Sequence, residues 1–402
     1  MRPLHRAVRT LVLTLLLCLT VPLVMHAPPA GAAEHAAASK ASKASKAART
    51  TTGTLVALPP VVQPGTTPAS PRNAGQVIAT FAPARAGRVV QLERLVGSTW
   101  TVTSRKRTDA WGSVAFSAKP GTYRASTSTS TGAVVTTTPV VSRTWTPSFQ
   151  DTFSSSSLDL SVWNDQRRER ESVYAPRTCA RADAAARRVE GGVLKLGLAL
   201  DPTMADQTCT YTTDEGTGQH SYLLTSQVST ENTHLFGHGI VAARMKPQQA
   251  KGMHSGFWLL PEGTRFTDGD PSAGTEIDIM EFFGERPEGR ETIGSFVSYY
   301  EPGWTSVQHG GMFGKARRAL STGARWWDEF HVFSVEWTPT EYIFRVDGRE
   351  YHRELNAVSQ ARQYVVLSML ASDHELDDLT PDELGQTADV DWVRVYDADA
   401  IG

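Results

Sequence analysis

Residues Gly274–Gly284 read GTEIDIMEFFG and place three carboxylates, Glu276, Asp278 and Glu281, in one short apolar stretch. Ile277, Ile279, Met280, Phe282 and Phe283 give that stretch the composition of a buried strand. Side chains alternate along a strand, so Glu276 and Asp278 share a face while Glu281 points the opposite way. One extra residue bulging after Asp278 reverses the parity and brings Glu281 onto the same face. Bulges commonly re-aim a side chain in this way beside an active site. Three acids on one face repel one another, which raises at least one pKa and lets a protonated acid stand beside an ionised one. Cleavage of a glycosidic bond needs such a pair. Taken alone, the motif also fits a calcium site of carboxylate oxygens or a solvated strand face.

The elements that must hold these acids are β-rich. At 402 residues the chain exceeds one typical domain, so two folded units plus accessory segments are expected. Residues 1–33 have the form of a secretory signal peptide. Arg2, Arg6 and Arg9 precede an apolar run from Leu11 to Met25, and Ala30-Gly31-Ala32 offers a small-residue cleavage site. That run is too short for a comfortable membrane span and contains Pro22. The mature chain is therefore expected to be soluble, secreted and extracellular, with no membrane partner once the signal is removed. Its removal takes the formal charge from −2 to −5, because three arginines and no acids go with it. That balance excludes nucleic acid as the expected partner. Cys179 and Cys209 remain; in an oxidising compartment they read as a disulfide, with two isolated buried thiols as the alternative.

Residues 34–53 form an Ala/Ser/Lys-rich linker with SKA repeated three times, a composition that cannot build a core. From 54 to 142 short alternating strands broken by Gly and Pro suggest a small β-sandwich. It resembles the immunoglobulin-like modules appended to exported bacterial enzymes. Trp100 and Trp111 could stack on sugars there, but a spacer role is favoured, since fold alone does not imply function. From about 146 to 397 the strands lengthen and few stretches have helical periodicity, which fits a two-sheet jelly roll. The fold class read from the chain is thus all-β throughout.

Several segments of the second unit, in order, resemble glycoside hydrolase family 16, in its bulged laminarinase-like branch. They are Phe149-Gln150-Asp151-Thr152-Phe153 with Trp163-Asn164, Gly192-Val193-Leu194-Lys195-Leu196, and Phe236-Gly237-His238-Gly239 leading to Ala243-Arg244-Met245-Lys246. Gly256-Phe257-Trp258-Leu259-Leu260-Pro261 then precedes the acid motif. Phe330 to Trp337, Val346-Asp347-Gly348 and Val390-Asp391-Trp392-Val393-Arg394-Val395-Tyr396 close the pattern.

The resemblance implies that Glu276 is the nucleophile and Glu281 the acid and base, with Asp278 tuning the nucleophile. In retaining enzymes of this chemistry the two working carboxyls sit about 5 to 5.5 Å apart. Trp258 matches a sugar-platform tryptophan, the alternative being a core position. His254 replaces a tryptophan often found in that segment and is a candidate cleft wall or exposed-loop residue. Asp391 matches an aspartate that binds structural calcium in some relatives, or else pairs with a neighbouring base; no cofactor is implied for catalysis itself. The strand after the acid motif lacks the family's usual histidine, and Tyr299, Tyr300 or His309 could take its place. The implied activity is a monomeric, retaining endo-hydrolase of a β-linked polysaccharide, first among them β-1,3-glucan. The alternatives are a β-linked galactan, a mixed-linkage glucan, a transglycosylase, or a glycan-binding protein without chemistry.

Overall fold

The structure, a computed structural model, describes residues 50–69, 74–165, 177–263, 269–286 and 291–398. The signal sequence and nearly all of the linker lie outside the described residues. The first strand, Thr52–Leu58, begins just inside the stretch read as linker.

Two sheets build the first unit. Thr52–Leu58, Gly75–Ala82 and Ser113–Ala118 form one, and Thr99–Arg107, Val89–Val96, Gly121–Ser128 and Val134–Thr136 lie side by side in the other. Period-two alternation turns Val77, Ala79, Phe81, Val90, Leu92, Val114 and Phe116 inward to a shared core. Trp100 and Trp111 are already engaged. The Arg124 guanidinium lies 4.4 Å from the Trp100 ring, and Trp111 packs against the core of the second unit.

In the second unit one continuous sheet, antiparallel but for the short strand Ala180–Ala182, folds over on itself into two layers, the jelly-roll arrangement expected from the strand lengths. The first layer runs in the order Thr305–Phe313, Ile293–Glu301, Glu276–Phe282, His254–Pro261, Gln363–Leu370 and Leu223–Ser229. Val193–Leu200 then leads into the second layer, whose central strands are Thr387–Asp397, Gly239–Lys246 and His331–Trp337. Between the layers lies the core, including Phe257, Leu259, Ile277, Phe333, Val335, Val365, Leu367 and Val393. On the strand Gln363–Leu370, Val365, Leu367 and Met369 enter this core while Tyr364 and Val366 face outward, where they pack with Trp258 and Leu260.

Residues 50–398 belong to one compact unit, so the first sandwich is more than a tethered spacer. Leu58, Val61, Ile78 and Trp145 close against Ile240, Ala242, Val332, Trp392 and Tyr396 on the outer face of the second layer. Arg349 pairs with Asp109 at 2.5 Å across the same seam. Gly65 and Phe330 exchange both backbone hydrogen bonds, 3.1 and 2.8 Å long.

Cys179 and Cys209 form a disulfide, with Cα atoms 5.6 Å apart. It fastens the hairpin Thr208–Thr213/Gly216–Ser221 to the segment entering Ala180–Ala182. That braced region in turn holds the short 3-10 helix Asp373–Asp378. The Thr178 hydroxyl donates to Asp373 at 2.6 Å, and the Tyr211 hydroxyl donates to Asp377.

Candidate active site

The strand Glu276–Phe282 departs from regular pairing at one point. Asp278 stands opposite Phe296 but Glu281 stands opposite Gly294, so Ile279 and Met280 together face the single residue Ser295. On its other edge Trp258 pairs with Asp278 and Phe257 with Met280, which passes over Ile279. This is the bulge anticipated from the spacing, and its cause is visible in the core. Ile277, Ile279, Met280 and Phe282 are all fully buried between the layers. Turning two successive apolar residues inward hides both from water and leaves Glu276, Asp278 and Glu281 on the opposite face.

The three acids therefore share the outer face of the first layer. Asp278, 5 % exposed, lies between its neighbours. Burial pushes its pKa well above the ordinary 3.8, and the charges of Glu276 and Glu281 push it further. That shift favours the protonated form of Asp278 between the two glutamates. Gly294 makes room for it. A Cβ there would fall 3.1 Å from Glu281 Cβ and 3.0 Å from Met312 Sδ.

Trp258 lies on the acid face, where its indole nitrogen donates to Ser368 Oγ at 3.1 Å. It is 7 % exposed and packs with Leu260, Tyr364 and Val366 outside the main core. His254, on the same strand and face, brings Nε2 to 2.9 Å from Glu281 Oε1 and stacks on Phe283 with ring centroids 4.2 Å apart. Beyond Phe283 and Met312 the surface opens into a recess of about 480 Å³, walled also by Lys251, His374, Glu375 and Asp378. The helix braced by the disulfide supplies the last three of these residues.

Tyr299 is placed differently from the expectation. The ladder of Ile293–Glu301 against Thr305–Phe313 has no irregularity, so alternation is strict. Ser298 opposes Glu276, and Phe296, Ser298 and Tyr300 share the acid face. Tyr299 falls on the other face with Val297, as does His309, the partner of Val297. Of the three candidates Tyr300 is the one on the acid face, and it meets Trp304 edge-on at 5.8 Å. Trp304 is 52 % exposed in the turn that follows, an aromatic surface that sequence reasoning missed. A tryptophan directly after Pro302-Gly303 in a turn was the available signal.

Asp391 does not fit a calcium ligand set. Its Oδ2 accepts from Arg244 Nη1 at 2.6 Å and from the Ala69 amide at 2.9 Å, with both side chains buried. A guanidinium already supplies the positive charge a cation would bring. The pairing with a neighbouring base is the alternative that holds. Among the described residues no group of three or more His, Cys, Asp or Glu converges to hold a metal.

Residues 198–394 match the family model described as glycosyl hydrolases family 16. Two characterised proteins are similar over shorter stretches. A glucan endo-1,3-beta-glucosidase from Cryptopygus antarcticus is 27 % identical over 122 residues, covering 29 % of this chain and 39 % of that protein. A beta-glucanase from Fibrobacter succinogenes is 30 % identical over 116 residues, 29 % of each. The alignments thus span well under half the length of either relative. Among solved structures, the endo-beta-1,3-glucanase from Pyrococcus furiosus aligns with TM-score 0.48 at 24 % identity, over 63 % of this chain and 94 % of that one. Outside the matched residues, Phe149–Asp151 pairs with Thr387–Asp397. The unit that carries the three acids is a glycosyl hydrolase family 16 domain.

Proposed function

We propose that the protein is a secreted, retaining, endo-acting glycoside hydrolase of β-linked polysaccharide, with β-1,3-glucan as its substrate. One observation carries the reading: the bulge between Asp278 and Glu281 that sets three carboxylates side by side on the outer face. The names of the two similar proteins, a glucan endo-1,3-beta-glucosidase and a beta-glucanase, support the choice of a β-glucan.

The chemistry follows from the placement. Glu276 attacks the anomeric carbon while Glu281 protonates the departing oxygen, giving a glycosyl-enzyme ester on Glu276. Glu281 then takes a proton from water as the water displaces Glu276, so configuration is retained and both carboxyls return to their starting states. Asp278, kept protonated by burial and its neighbours, donates a hydrogen bond rather than a third negative charge. The Tyr300–Trp304 pair supplies aromatic surface against which pyranose C–H faces pack, and buried Trp258 backs the acid face.

The test is turnover of a panel of β-glucans and galactans by the purified protein, with products sized and the anomer followed by NMR. Internal cleavage of β-1,3-glucan with a β-configured first product is expected. Glu276→Gln should abolish turnover in a folded protein, since a carboxamide cannot form the ester. Full activity in that variant refutes the assignment, and preferred cleavage of a galactan replaces the substrate.

A further inference from the structure

The imidazole of His254 is a group of opposite potential charge placed against the proposed acid and base. Its Nε2 stands 2.9 Å from Glu281 Oε1, off the straight line of an ideal N–H···O bond. The contact is sheltered, with the His254 side chain 12 % exposed and that of Glu281 18 % exposed. Phe283 covers one face of the ring in near-parallel stacking, with 23° between planes. From the 3-10 helix Asp373–Asp378, Glu375 adds its negative charge; the Ser372 amide holds one of its oxygens at 2.7 Å. Arg177, before the disulfide, opposes it with a positive charge. Asp278 faces Glu281 along the strand, and Lys251, His374 and Asp378 line the adjoining recess.

We propose that His254 and Glu281 form a couple that holds a single proton between them, and that this shared proton is the one delivered to the leaving sugar. His254 thereby acts as a positioning residue through Glu281. The proposal rests on the hydrolase reading above and deepens it.

The electrostatics favour retention of that proton. Burial alone would lower the imidazole pKa, but the charge of the Glu281 carboxyl 2.9 Å away, with help from Glu375, raises it above the ordinary 6.5 against the push of Arg177. An imidazolium beside a carboxylate and a neutral imidazole beside a carboxylic acid carry the same number of protons. In the first step the bond from the anomeric carbon to the leaving oxygen breaks, Glu276 bonds to that carbon, and the couple's proton passes through Glu281 to the leaving oxygen. Neutral His254 and ionised Glu281 remain. In the second step water bonds to the carbon, the ester to Glu276 breaks, and the water proton returns to the couple. Nothing else is consumed. Because an imidazole holds a proton to higher pH than a carboxylate does, the couple extends the working range of the acid to higher pH than a lone surface glutamate would have.

The experiment compares wild type, His254→Gln and Glu276→Gln on a β-glucan oligosaccharide and on an aryl glycoside whose leaving group needs no proton. His254→Gln should move the alkaline limb of kcat/KM on the oligosaccharide down by at least about one pH unit. At pH 7 its activity should fall roughly 10-fold or more, while the aryl substrate is cleaved within about threefold of wild type. An alkaline limb in the same place as wild type overturns the couple. If Glu276→Gln is inactive on both substrates while His254→Gln is unaltered, the couple alone has failed; an active Glu276→Gln means the hydrolase reading itself has failed. A second readout needs no turnover. The His254 ring, followed by NMR, should titrate above 6.5 in wild type and at least one unit lower in Glu281→Gln, and an unshifted titration in that variant also overturns the proposal.

Discussion

Arg244 and Asp391 meet at 2.6 Å on the outer face of the second layer, and the first sandwich closes over both. The guanidinium also donates to the carbonyls of Gln63, Gly65 and Thr67, so one catalytic-domain arginine satisfies three backbone acceptors of the preceding segment. Removing Asp391 would leave a buried cation without its counter-ion. Asp391→Ala is therefore expected to cost about 3 to 5 kcal/mol in chemical denaturation. The double replacement Arg244→Met with Asp391→Leu should cost less, because no charge is then left unpaired. A chelator should leave the melting temperature unchanged, and a fall of several degrees would mean a cation contributes at this seam after all.

The same pair shows where sequence reading stops. The acid strand was legible because its apolar and acidic residues obey period two except at one place, and the exception is itself the signal for a bulge. Trp258 and His254 were legible only through the resemblance of their segment to the family's pattern. The partner of Asp391 was not, since Arg244 lies 147 residues away and the Ala69 amide 322 residues away. Nothing local tells a carboxylate which of these it will meet. Tyr299 and Tyr300 were separated only by register. Alternation decides between adjacent residues once Ser298 is known to oppose Glu276, and a single strand read in isolation does not contain that pairing.

Asp278 gives a pH dependence with a definite sign. Its carboxyl loses its proton near 3.8 when unfolded and well above that when folded, chiefly through burial and then through Glu276 and Glu281. Between those two values the folded state binds the extra proton, so this group's contribution is fully present below pH 3.8 and is lost as pH rises through the folded pKa. Asp278→Asn removes the dependence. The variant should melt higher than wild type near pH 7, with the difference vanishing toward pH 4. Its kcat should stay within about 10-fold of wild type, because the carboxamide N–H can still donate, whereas Asp278→Ala should lose about 10- to 100-fold, the worth of a hydrogen bond to a charged group.

The exposed face of Trp304 stands beside Tyr300, on the strand that runs past Glu276. Contact there would hold a polymer without touching the scissile bond. Trp304→Ala should raise KM for long oligosaccharides about 10-fold, in the range of one aromatic contact, with kcat nearly unchanged. A short aryl glycoside that does not reach the turn should be cleaved as by wild type. Equal losses on both substrates would place Trp304 in folding instead of binding.

Glu281 is separated from Glu276 by its task, and leaving-group dependence exposes that task. Glu276 must form a bond to carbon whatever departs, whereas Glu281 matters in the first step only when the departing oxygen is a poor leaving group. Glu281→Ala should slow oligosaccharide cleavage by about 10²- to 10⁴-fold, yet release an activated phenol from an aryl glycoside in a rapid first turnover. The ester on Glu276 should then accumulate, because no base remains to deprotonate water, and mass spectrometry should find one glycosyl unit added to the protein. An external nucleophile such as azide, which needs no deprotonation, should clear that ester and restore turnover. If both substrate types slow alike and no adduct forms, then Glu281 is not the group that exchanges protons with the sugar, and the carboxylate it faces across the bulge has some other partner.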